Sequence, residues 1–348
     1  MKKLLLLLVT ISLWGCSSTP SQTNNDIQED TPKEEIKQVE KTTITLNFVG
    51  DITLGNFAGM SYDRSFDQLY AKKKDKSYFL KNVKSVFADD DLTIGHLEGP
   101  LTSATSHMDK KYAFKGKKEY AGILSEGNID IVSLANNHSS DYYEKGKKDT
   151  QESLKKENID YFGYERKLIK EVKGKKIGFI GFSFAGQIPI PSHIKEQATK
   201  AIQSIKDETD LIVVYYHWGE MYEYAPRKAQ VEFAHYTIDQ GADLVVGTHA
   251  HVIQGIETYK GKNIVYSLGN FCYGGNKNPK DIDSMIFQQT FSFEDDKLVD
   301  TSYKAIAATW SSDSNSKKNN FQPQVLKGSQ KEAWEKRVKK YSKQIPEV

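Results

Sequence analysis

Short apolar segments rich in β-branched and aromatic residues recur along the chain from Thr42 onward. Several of them are continuous apolar runs rather than alternating ones, which is typical of strands covered on both faces. Strands are therefore predicted over residues 43–49, 92–97, 129–135, 176–182, 211–216, 244–247 and 264–268, with a later one over 284–293.

Segments with helical character separate these strands. The segment 226–240 has Pro226 in a first-turn position and Gly241 just beyond its end, a good pair of start and stop signals. Helices are predicted over residues 78–88, 143–158, 193–206 and 226–240, and near the end of the chain over 330–343. Strands that alternate with helices indicate an α/β (α+β) layered sandwich.

The N-terminus has the plan of a signal peptide. Two lysines precede an apolar run over residues 4–14, and Gly15-Cys16 follows directly. The run falls well short of the ~20 residues that span a bilayer. Residues 13–16 resemble a bacterial lipobox, which implies lipidation of Cys16, so residues 1–16 are predicted to be a lipoprotein signal peptide. The alternative is an ordinary secretory signal that contains a cysteine.

Residues 17–41 are polar and contain no aromatic side chain. Such a segment cannot bury enough apolar surface to offset its ordering entropy, so a flexible tether is predicted. We expect a folded domain over residues 42–310 and a C-terminal extension over 311–348. The expected location is the extracytoplasmic face of the cell membrane, held there by the lipid anchor.

Charge and cysteine content narrow the possible functions. The chain has 48 basic and 46 acidic residues, and Lys2 and Lys3 in the signal supply the surplus of +2. A neutral mature protein without a basic stripe argues against a nucleic-acid partner. Cys16 and Cys272 are the two cysteines, so lipidation of the first leaves no intrachain disulfide. Cys272 is interpreted as a small buried apolar residue rather than a nucleophile.

Residues of metal-ligand type follow the ends of the predicted strands. Ligands of α/β sheets bind outside the carboxyl ends of strands, so these side chains are expected to converge. One such Asp or Asn is more often a turn former, but their joint occurrence favours a metal site. In an extended segment, residues i and i+2 project to one side, so His249 and His251 are expected to face the same ion. The ligand candidates are Asp51, Glu98, Asn137, His217, His249 and His251.

Six motifs follow one another in order over residues 43–295. They are Gly50-Asp51, His96-Leu97-Glu98-Gly99-Pro100, Ala135-Asn136-Asn137-His138, His217-Trp218-Gly219-Glu220, Gly247-Thr248-His249-Ala250-His251 and Leu268-Gly269-Asn270-Phe271. Together they resemble the motifs of the CapA-type capsule-synthesis proteins, a family that is associated with poly-γ-glutamate and is similar to the calcineurin-like metallophosphatases. The resemblance implies a four-layer α-β-β-α sandwich with its active site at the strand ends.

The resemblance also implies roles for individual residues. Asp51 resembles the aspartate of the first motif, which binds one metal ion, and Glu98 stands where metallophosphatases have a metal-bridging aspartate. Asn137 and His138 resemble a pair in which Asn binds metal and His donates a proton or contacts substrate. The later histidine ligands correspond to His217, His249 and His251.

Two positions depart from the pattern. Thr53 stands where a dinuclear metallophosphatase has the histidine of its Asp-x-His motif, so one metal position lacks a ligand. His96 stands where the capsule family usually has Asn. We expect one or two divalent ions, Mn, Fe or Zn, because a ligand set without thiolate suits a catalytic site.

Such a site would support hydrolysis. A divalent ion makes a bound water more acidic and neutralises charge on a phosphoryl or acyl oxygen, and His138 would protonate the leaving group. Glu220 and Arg227 are candidates to line the pocket, with Arg227 pairing with an anionic substrate. An ordinary polar loop before a helix explains these two residues equally well.

Three functions remain open. The favoured one is a role in capsule or poly-γ-glutamate synthesis or export through a metal-dependent, hydrolase-like site. The alternatives are a general cell-envelope phosphatase or phosphodiesterase and a non-catalytic polymer-binding lipoprotein. The expected partners are the membrane, through the lipid anchor, and an anionic envelope polymer or its synthesis machinery.

Overall fold

A computed structural model of the protein describes residues 39–315 and 317–348. The predicted signal peptide, the lipidation of Cys16 and nearly all of the predicted tether lie outside the described residues. Residues Val39–Val348 form one compact unit.

Strands dominate this unit. The strands are β1 Lys41–Thr53, β2 Asn56–Phe57, β3 Leu92–Leu97, β4 Phe114–Lys115, β5 Ile131–Ser133, β6 Asp160–Phe162, β7 Leu168–Val172, β8 Lys175–Ser183, β9 Leu211–His217, β10 Leu244–Thr248, β11 Ile256–Tyr259, β12 Lys262–Val265, β13 Asn270–Tyr273, β14 Asp283–Glu294, β15 Lys297–Thr309 and β16 Gln324–Val325. The α-helices are α1 Phe66–Lys73, α2 Ala121–Glu126, α3 Tyr143–Lys156, α4 Ser192–Gln203, α5 Lys228–Asp239 and α6 Gly328–Ser342, and 3₁₀ turns span Lys84–Phe87 and Lys118–Tyr120.

Two large sheets organise the chain. The first has the order β16-β15-β14-β1-β3-β5-β6, with β13 also pairing with β1, and the second has the order β11-β12-β10-β9-β8-β7. The central neighbours β1, β3, β5 and β6 run parallel, as do β8, β9, β10 and β12. Parallel neighbours place their carboxyl ends at one edge of each sheet.

Three apolar clusters define four layers. Inward-facing residues of both sheets, such as Phe48 and Val213, share one buried cluster. The outer face of the first sheet packs against residues of α1, α2 and the first 3₁₀ turn, and the outer face of the second packs against α4 and α5. The α-β-β-α sandwich implied by the resemblance is therefore confirmed.

Two predictions about helices are wrong. The helix predicted over 78–88 is a series of turns that ends in the short 3₁₀ segment Lys84–Phe87, which lets Val83 and Phe87 reach the apolar cluster under the first sheet. Pro226 is not in the first turn of α5, because Arg227 is the N-cap and the helix begins at Lys228. Gly241, with φ +118°, follows the C-cap of this helix as expected.

The C-terminal helix α6 packs onto the sandwich. Trp334 and Tyr341 join the cluster between the sheets, and the indole N–H of Trp334 donates to the Ser284 carbonyl at 3.0 Å. Arg337 holds Asp283 through two hydrogen bonds, of 2.5 and 2.8 Å. Within the described part of the chain, no helix combines the length and apolarity needed to cross a membrane.

Candidate metal centre

The parallel registers bring the predicted ligands together at one edge of the sandwich. Asp51 in β1 pairs in register with His96 in β3, and His217 at the end of β9 pairs with Thr248 at the end of β10. Each of these side chains is fully buried. The ends of both sheets thus meet in a buried polar cluster.

Gly50 explains how Asp51 reaches this place. A Cβ at Gly50 would lie 1.8 Å from the carbonyl oxygen of Gly269, so any larger residue would push β1 away from the start of β13. The close approach lets the backbone N–H of Asp51 donate to that carbonyl at 3.0 Å. The glycine therefore fixes the backbone that carries the carboxylate.

Asp51 has one satisfied and one unsatisfied oxygen. Its Oδ2 accepts the backbone N–H of His249 at 3.2 Å, whereas Oδ1 is buried without a hydrogen-bond partner. Oδ1 lies 3.7 Å from His217 Nδ1 and 3.9 Å from His96 Nε2, and Oδ2 lies 3.4 Å from His251 Nδ1.

Glu98 repeats this arrangement. The Thr53 hydroxyl donates to its Oε2 at 3.1 Å, and its Oε1 is buried without a partner. Oε1 lies 3.8 Å from His217 Nε2 and 3.9 Å from His138 Nε2. Thr53, the residue that departs from the Asp-x-His pattern, thus orients the glutamate.

His217 lies between two groups of potential ligands. Its Nδ1 faces Asp51 and the Thr248 hydroxyl, the latter at 3.1 Å. Its Nε2 lies 2.8 Å from Asn137 Oδ1 and 3.2 Å from His249 Nδ1. Three other predicted ligands, Asn137, His249 and Glu98, therefore lie close to the Nε2 of His217.

The His249-Ala250-His251 segment is not extended as expected. His249 has φ 91° and His251 has φ 57°, both in the left-handed region that non-glycine residues seldom adopt. Such conformations cost of order 1–3 kcal/mol each and persist where surrounding contacts enforce them. Here the Asp51 contact to His249 N–H and the Asn270 contact to His251 hold the turn. The two imidazoles approach the cluster through a tight turn rather than through strand alternation.

His251 is fixed by Asn270, for which the sequence pattern predicts no role of its own. His251 Nδ1 lies 2.8 Å from Asn270 Oδ1, and the amide of Asn270 donates back to the His251 carbonyl at 3.4 Å. A ring that donates from Nδ1 leaves Nε2 free to bind, as is usual for metal-ligating histidines.

His138 has a partner of a different kind. Its Nδ1 lies 2.8 Å from Asp141 Oδ2, and Asp141 also accepts the backbone N–H of Phe114 at 2.6 Å and the ammonium of Lys110 at 2.5 Å. Asn136 accepts the backbone N–H of His138 at 3.0 Å, so it forms the turn. The imidazole is held by Nδ1 with its Nε2 directed toward Glu98.

Burial dominates the electrostatics of the cluster. It raises the pKa of Asp51 well above its ordinary value, with the charge of Glu98 adding to the effect. Burial and the neighbouring His249 lower the pKa of His217, and burial and His251 lower the pKa of both His249 and His96 to about 3. Neutral imidazoles keep a lone pair available, which is the form that binds metal.

The unpartnered atoms test whether a cation suits the site. Among the described residues, the buried side-chain atoms without a partner include Asp51 Oδ1, Glu98 Oε1 and both ring nitrogens of His96. Leaving such groups unpaired costs stability, and a bound divalent ion would satisfy the carboxylate oxygens and one nitrogen of His96. Two ligand sets, Asp51-His96-His217 and Asp51-Glu98-His251, have donor atoms within 4.8 Å of one another. The residues therefore fit a divalent metal.

A cavity of about 440 Å³ adjoins the cluster at His251 and Asn270. Its other walls are aromatic, amide and charged side chains and one valine, namely Tyr222, Tyr224, Val252, Tyr273, Asn276, Asn278, Lys280, Asp281 and Trp310. Glu220 and Arg227 do not line it. They pair with each other at 2.5 Å, and both are partly exposed, so their predicted contact with substrate stays a prediction.

Sequence reasoning missed the supporting residues. His96 is not among the predicted ligands, although its place near the end of a predicted strand is the same signal that identifies Glu98. Asp141 follows His138 by three residues, and no local pattern distinguishes it from a turn-forming aspartate. Asn270 and Thr248 lie in motifs whose spacing does not reveal which atom they hold.

Comparison with known proteins agrees with the motifs. Over 263 residues the chain is 30% identical to the PGA biosynthesis protein CapA of Bacillus subtilis (strain 168), a match that covers 70% of this chain and 66% of that protein. It is also 30% identical over 262 residues to the capsule biosynthesis protein CapA of Bacillus anthracis, covering 68% of this chain and 62% of that one. The chain thus spans slightly less than two thirds of the length of these relatives.

A solved structure described as a novel phosphatase from Mycoplasma pneumoniae aligns with a TM-score of 0.45 at 15% identity, covering 77% of this chain and 95% of that one. Residues 45–274, which include every strand-end ligand candidate, match the family described as bacterial capsule synthesis protein PGA_cap. The chain belongs to this family of bacterial capsule synthesis proteins.

Proposed function

We propose that this protein acts in the synthesis or export of a poly-γ-glutamate capsule, at the outer face of the membrane, through a metal-dependent hydrolytic site. The observation that carries the proposal is the pair of buried, unpartnered carboxylate oxygens, Asp51 Oδ1 and Glu98 Oε1, beside the buried histidines of the cluster. Family membership and the names of the Bacillus relatives support the capsule role.

Asp51, Glu98, Asn137, His217, His249 and His251 would hold one or two divalent ions. When bound, Mn, Fe or Zn supplies positive charge that acidifies a water and stabilises charge developing on a substrate oxygen. Thr53, Thr248 and Asn270 orient these ligands by contacts to Glu98, His217 and His251. This support limits the loss of side-chain freedom on binding.

His138 would deliver a proton to the leaving group. Asp141 holds its Nδ1 at 2.8 Å, and this contact directs Nε2 toward the cluster, where Glu98 Oε1 lies at 3.9 Å. With its Nδ1 held in this way, the imidazole can donate a proton from Nε2 and then recover one from solvent. Such general-acid assistance accounts for about 10²–10⁴-fold in rate.

The cavity beside His251 would receive the polymer. Its amide side chains can bond to peptide-like groups, its aromatic rings can pack against methylene segments, and Lys280 can pair with a carboxylate. An amide or ester bond of an extended chain lying in this cavity would reach the cluster at Asn270 and His251.

Location is part of the proposal. Lipidation of Cys16 would place the folded unit outside the cytoplasmic membrane, where an exported polymer emerges. A Cys16→Ser variant should leave the membrane fraction and appear in the medium or periplasm. Retention of the variant in the membrane fraction at the wild-type level would contradict the anchor.

The decisive experiment compares the wild-type protein with His249→Ala and, as a control, His193→Ala, since His193 is exposed on α4. Bound metal is measured after purification, and hydrolysis is measured with phosphomonoester, phosphodiester and γ-glutamyl substrates. We expect His249→Ala to lose metal and γ-glutamyl hydrolysis, and His193→Ala to keep both.

Other outcomes decide between the alternatives. Hydrolysis of phosphoesters alone would favour a general envelope phosphatase. Metal binding without turnover of any substrate, combined with binding of the polymer, would favour a non-catalytic binding protein. Activity that survives His249→Ala undiminished would refute the site.

A further inference from the structure

His96 lies at the centre of the buried cluster rather than at its edge. It is in β3, directly beside Asp51 of β1, and its side chain is fully buried. Its ring stacks on the His217 ring at a centroid distance of 4.7 Å and an interplanar angle of 9°, and on Tyr215 at 5.4 Å and 15°. Both sheets therefore fix the position of this imidazole.

The ring has no hydrogen bond at either nitrogen. A neutral imidazole carries one donor and one acceptor, and a buried histidine of an ordinary core satisfies at least one of them. His235 illustrates the ordinary case, because its Nε2 lies 2.8 Å from Glu257 Oε1. Packing alone gives no reason for two unsatisfied nitrogens at His96, where an apolar side chain would cost less.

The nearest polar partner of His96 is itself unsatisfied. Asp51 Oδ1 lies 3.9 Å from His96 Nε2, which is too far for a hydrogen bond. Two ligand atoms that each bind one ion at about 2.1 Å can be separated by up to about 4.2 Å, so this distance suits a shared cation. His217, whose Nδ1 lies 3.7 Å from the same oxygen, belongs to the same group of three potential ligands.

We propose that His96 is a metal ligand, binding the ion held by Asp51 and supplying the nitrogen that Thr53 does not provide. The inference rests on the proposed metal centre and adds a residue to it. Thr53 is committed elsewhere, because its hydroxyl donates to Glu98. His96 thus offers a nitrogen beside Asp51 from the neighbouring strand of the same sheet, where Thr53 offers none.

The test uses Co²⁺ as a probe of the purified protein, with His96→Phe as the variant and His193→Ala as the control. Phenylalanine keeps the ring that stacks on His217 but has no nitrogen. We expect the affinity for Co²⁺, or for the second equivalent if two bind, to fall about 10–100-fold or more. The visible absorption of the bound Co²⁺ should change at the same time, because its ligand set has changed.

Thermal unfolding of the metal-free protein separates ligation from packing. Metal-free His96→Phe should melt at or above the wild-type temperature, and the rise in melting temperature on adding Co²⁺ should be smaller than in the wild type. If His96→Phe does not fold, His96→Leu takes its place in the same measurements.

Two results would overturn the inference in different ways. Unchanged Co²⁺ affinity and spectrum in a folded His96 variant would make His96 a packing residue and leave the metal centre standing. A wild-type protein that binds no Co²⁺, Mn²⁺ or Zn²⁺ would remove the metal centre itself, and His96 with it.

Discussion

The layer between the two sheets has two ends of different chemistry, although the same strands supply both. What we call the apolar end is formed by the middle of β1, β3 and β9, which contribute Leu46, Ile94 and Val213 to one apolar cluster. What we call the polar end lies further along the same strands, which there contribute Asp51, His96 and His217, whose side chains are equally buried. Burial is therefore the same at both ends, and the difference lies in whether the buried atoms have partners.

This difference assigns opposite energetic roles to the two ends. Apolar side chains gain about 25 cal/mol per Å² removed from water, so their end stabilises the fold. Unpaired carboxylate and imidazole atoms lose their hydration without compensation, so their end destabilises the metal-free fold. A cation that binds the folded state alone would offset that cost. A binding site in a core is thus recognised by unsatisfied polar atoms rather than by burial.

The largest effect is expected at the apolar end. Phe48 is fully buried between the sheets, so Phe48→Ala should lower the free energy of unfolding by about 3–5 kcal/mol through lost contacts and a residual cavity. Chemical denaturation of the metal-free protein measures this. Val299→Ala, at a side chain about half exposed on β15, is the control and should change it by less than about 0.5 kcal/mol. Equal effects in the two variants would contradict the assignment.

The opposite sign is expected at the polar end. Glu98→Gln removes a buried charge while the amide oxygen can still accept the Thr53 hydroxyl. The metal-free variant should therefore be more stable than the wild type, by about 1 kcal/mol. Its affinity for Co²⁺ should fall by about 100-fold or more, since loss of a supporting contact alone costs 10–100-fold. Denaturation and metal titration of the same sample measure both quantities.

Glu220→Gln is the matched control for this prediction. Its carboxylate is partly exposed and paired with Arg227, so neither stability nor metal affinity should change appreciably. A metal-free Glu98→Gln protein less stable than the wild type would show that the ionised carboxylate is satisfied in solution, and the contrast between the two ends would not hold.

The sequence predicts the buried central strands well and predicts poorly those elements that depend on contacts with distant parts of the chain. Continuous apolar runs identified β3 and β9 nearly to the residue, because strands covered on both faces leave a strong signal. The long strand β15 is not predicted from the sequence, because many of its residues are exposed and polar. It is held in the sheet by backbone pairing with β14 along its length, which no local sequence pattern reveals. Helix α1, only eight residues long, lacks a strong apolar period and depends on its packing of Phe66.

The residues of the site also divide into those that a local sequence pattern identifies and those that depend on distant contacts. Strand-end position was enough to nominate Asp51 and His217, because parallel strands bring their carboxyl ends to one edge. It was not enough to include His96, since whether a buried ring has partners depends on the opposite sheet. The turn at His249 and His251 was mistaken for an extended segment for a similar reason: contacts to Asp51 and Asn270, distant in sequence, impose the positive φ values.

The smallest of these effects is expected where a polar residue supports the site without belonging to it. Asn270→Ala removes the oxygen that holds His251 Nδ1 at 2.8 Å, so His251 should bind metal less well and the Co²⁺ affinity should fall about 10-fold. Asn278→Ala is the control, because Asn278 lines the same cavity but is exposed and contacts Arg64. Isothermal titration of both variants measures the difference. If the two variants bind Co²⁺ with affinities within twofold of each other, the turn at His251 is rigid without the Asn270 contact. Packing would then hold the ligands of the polar end in place, as it holds the side chains of the apolar end.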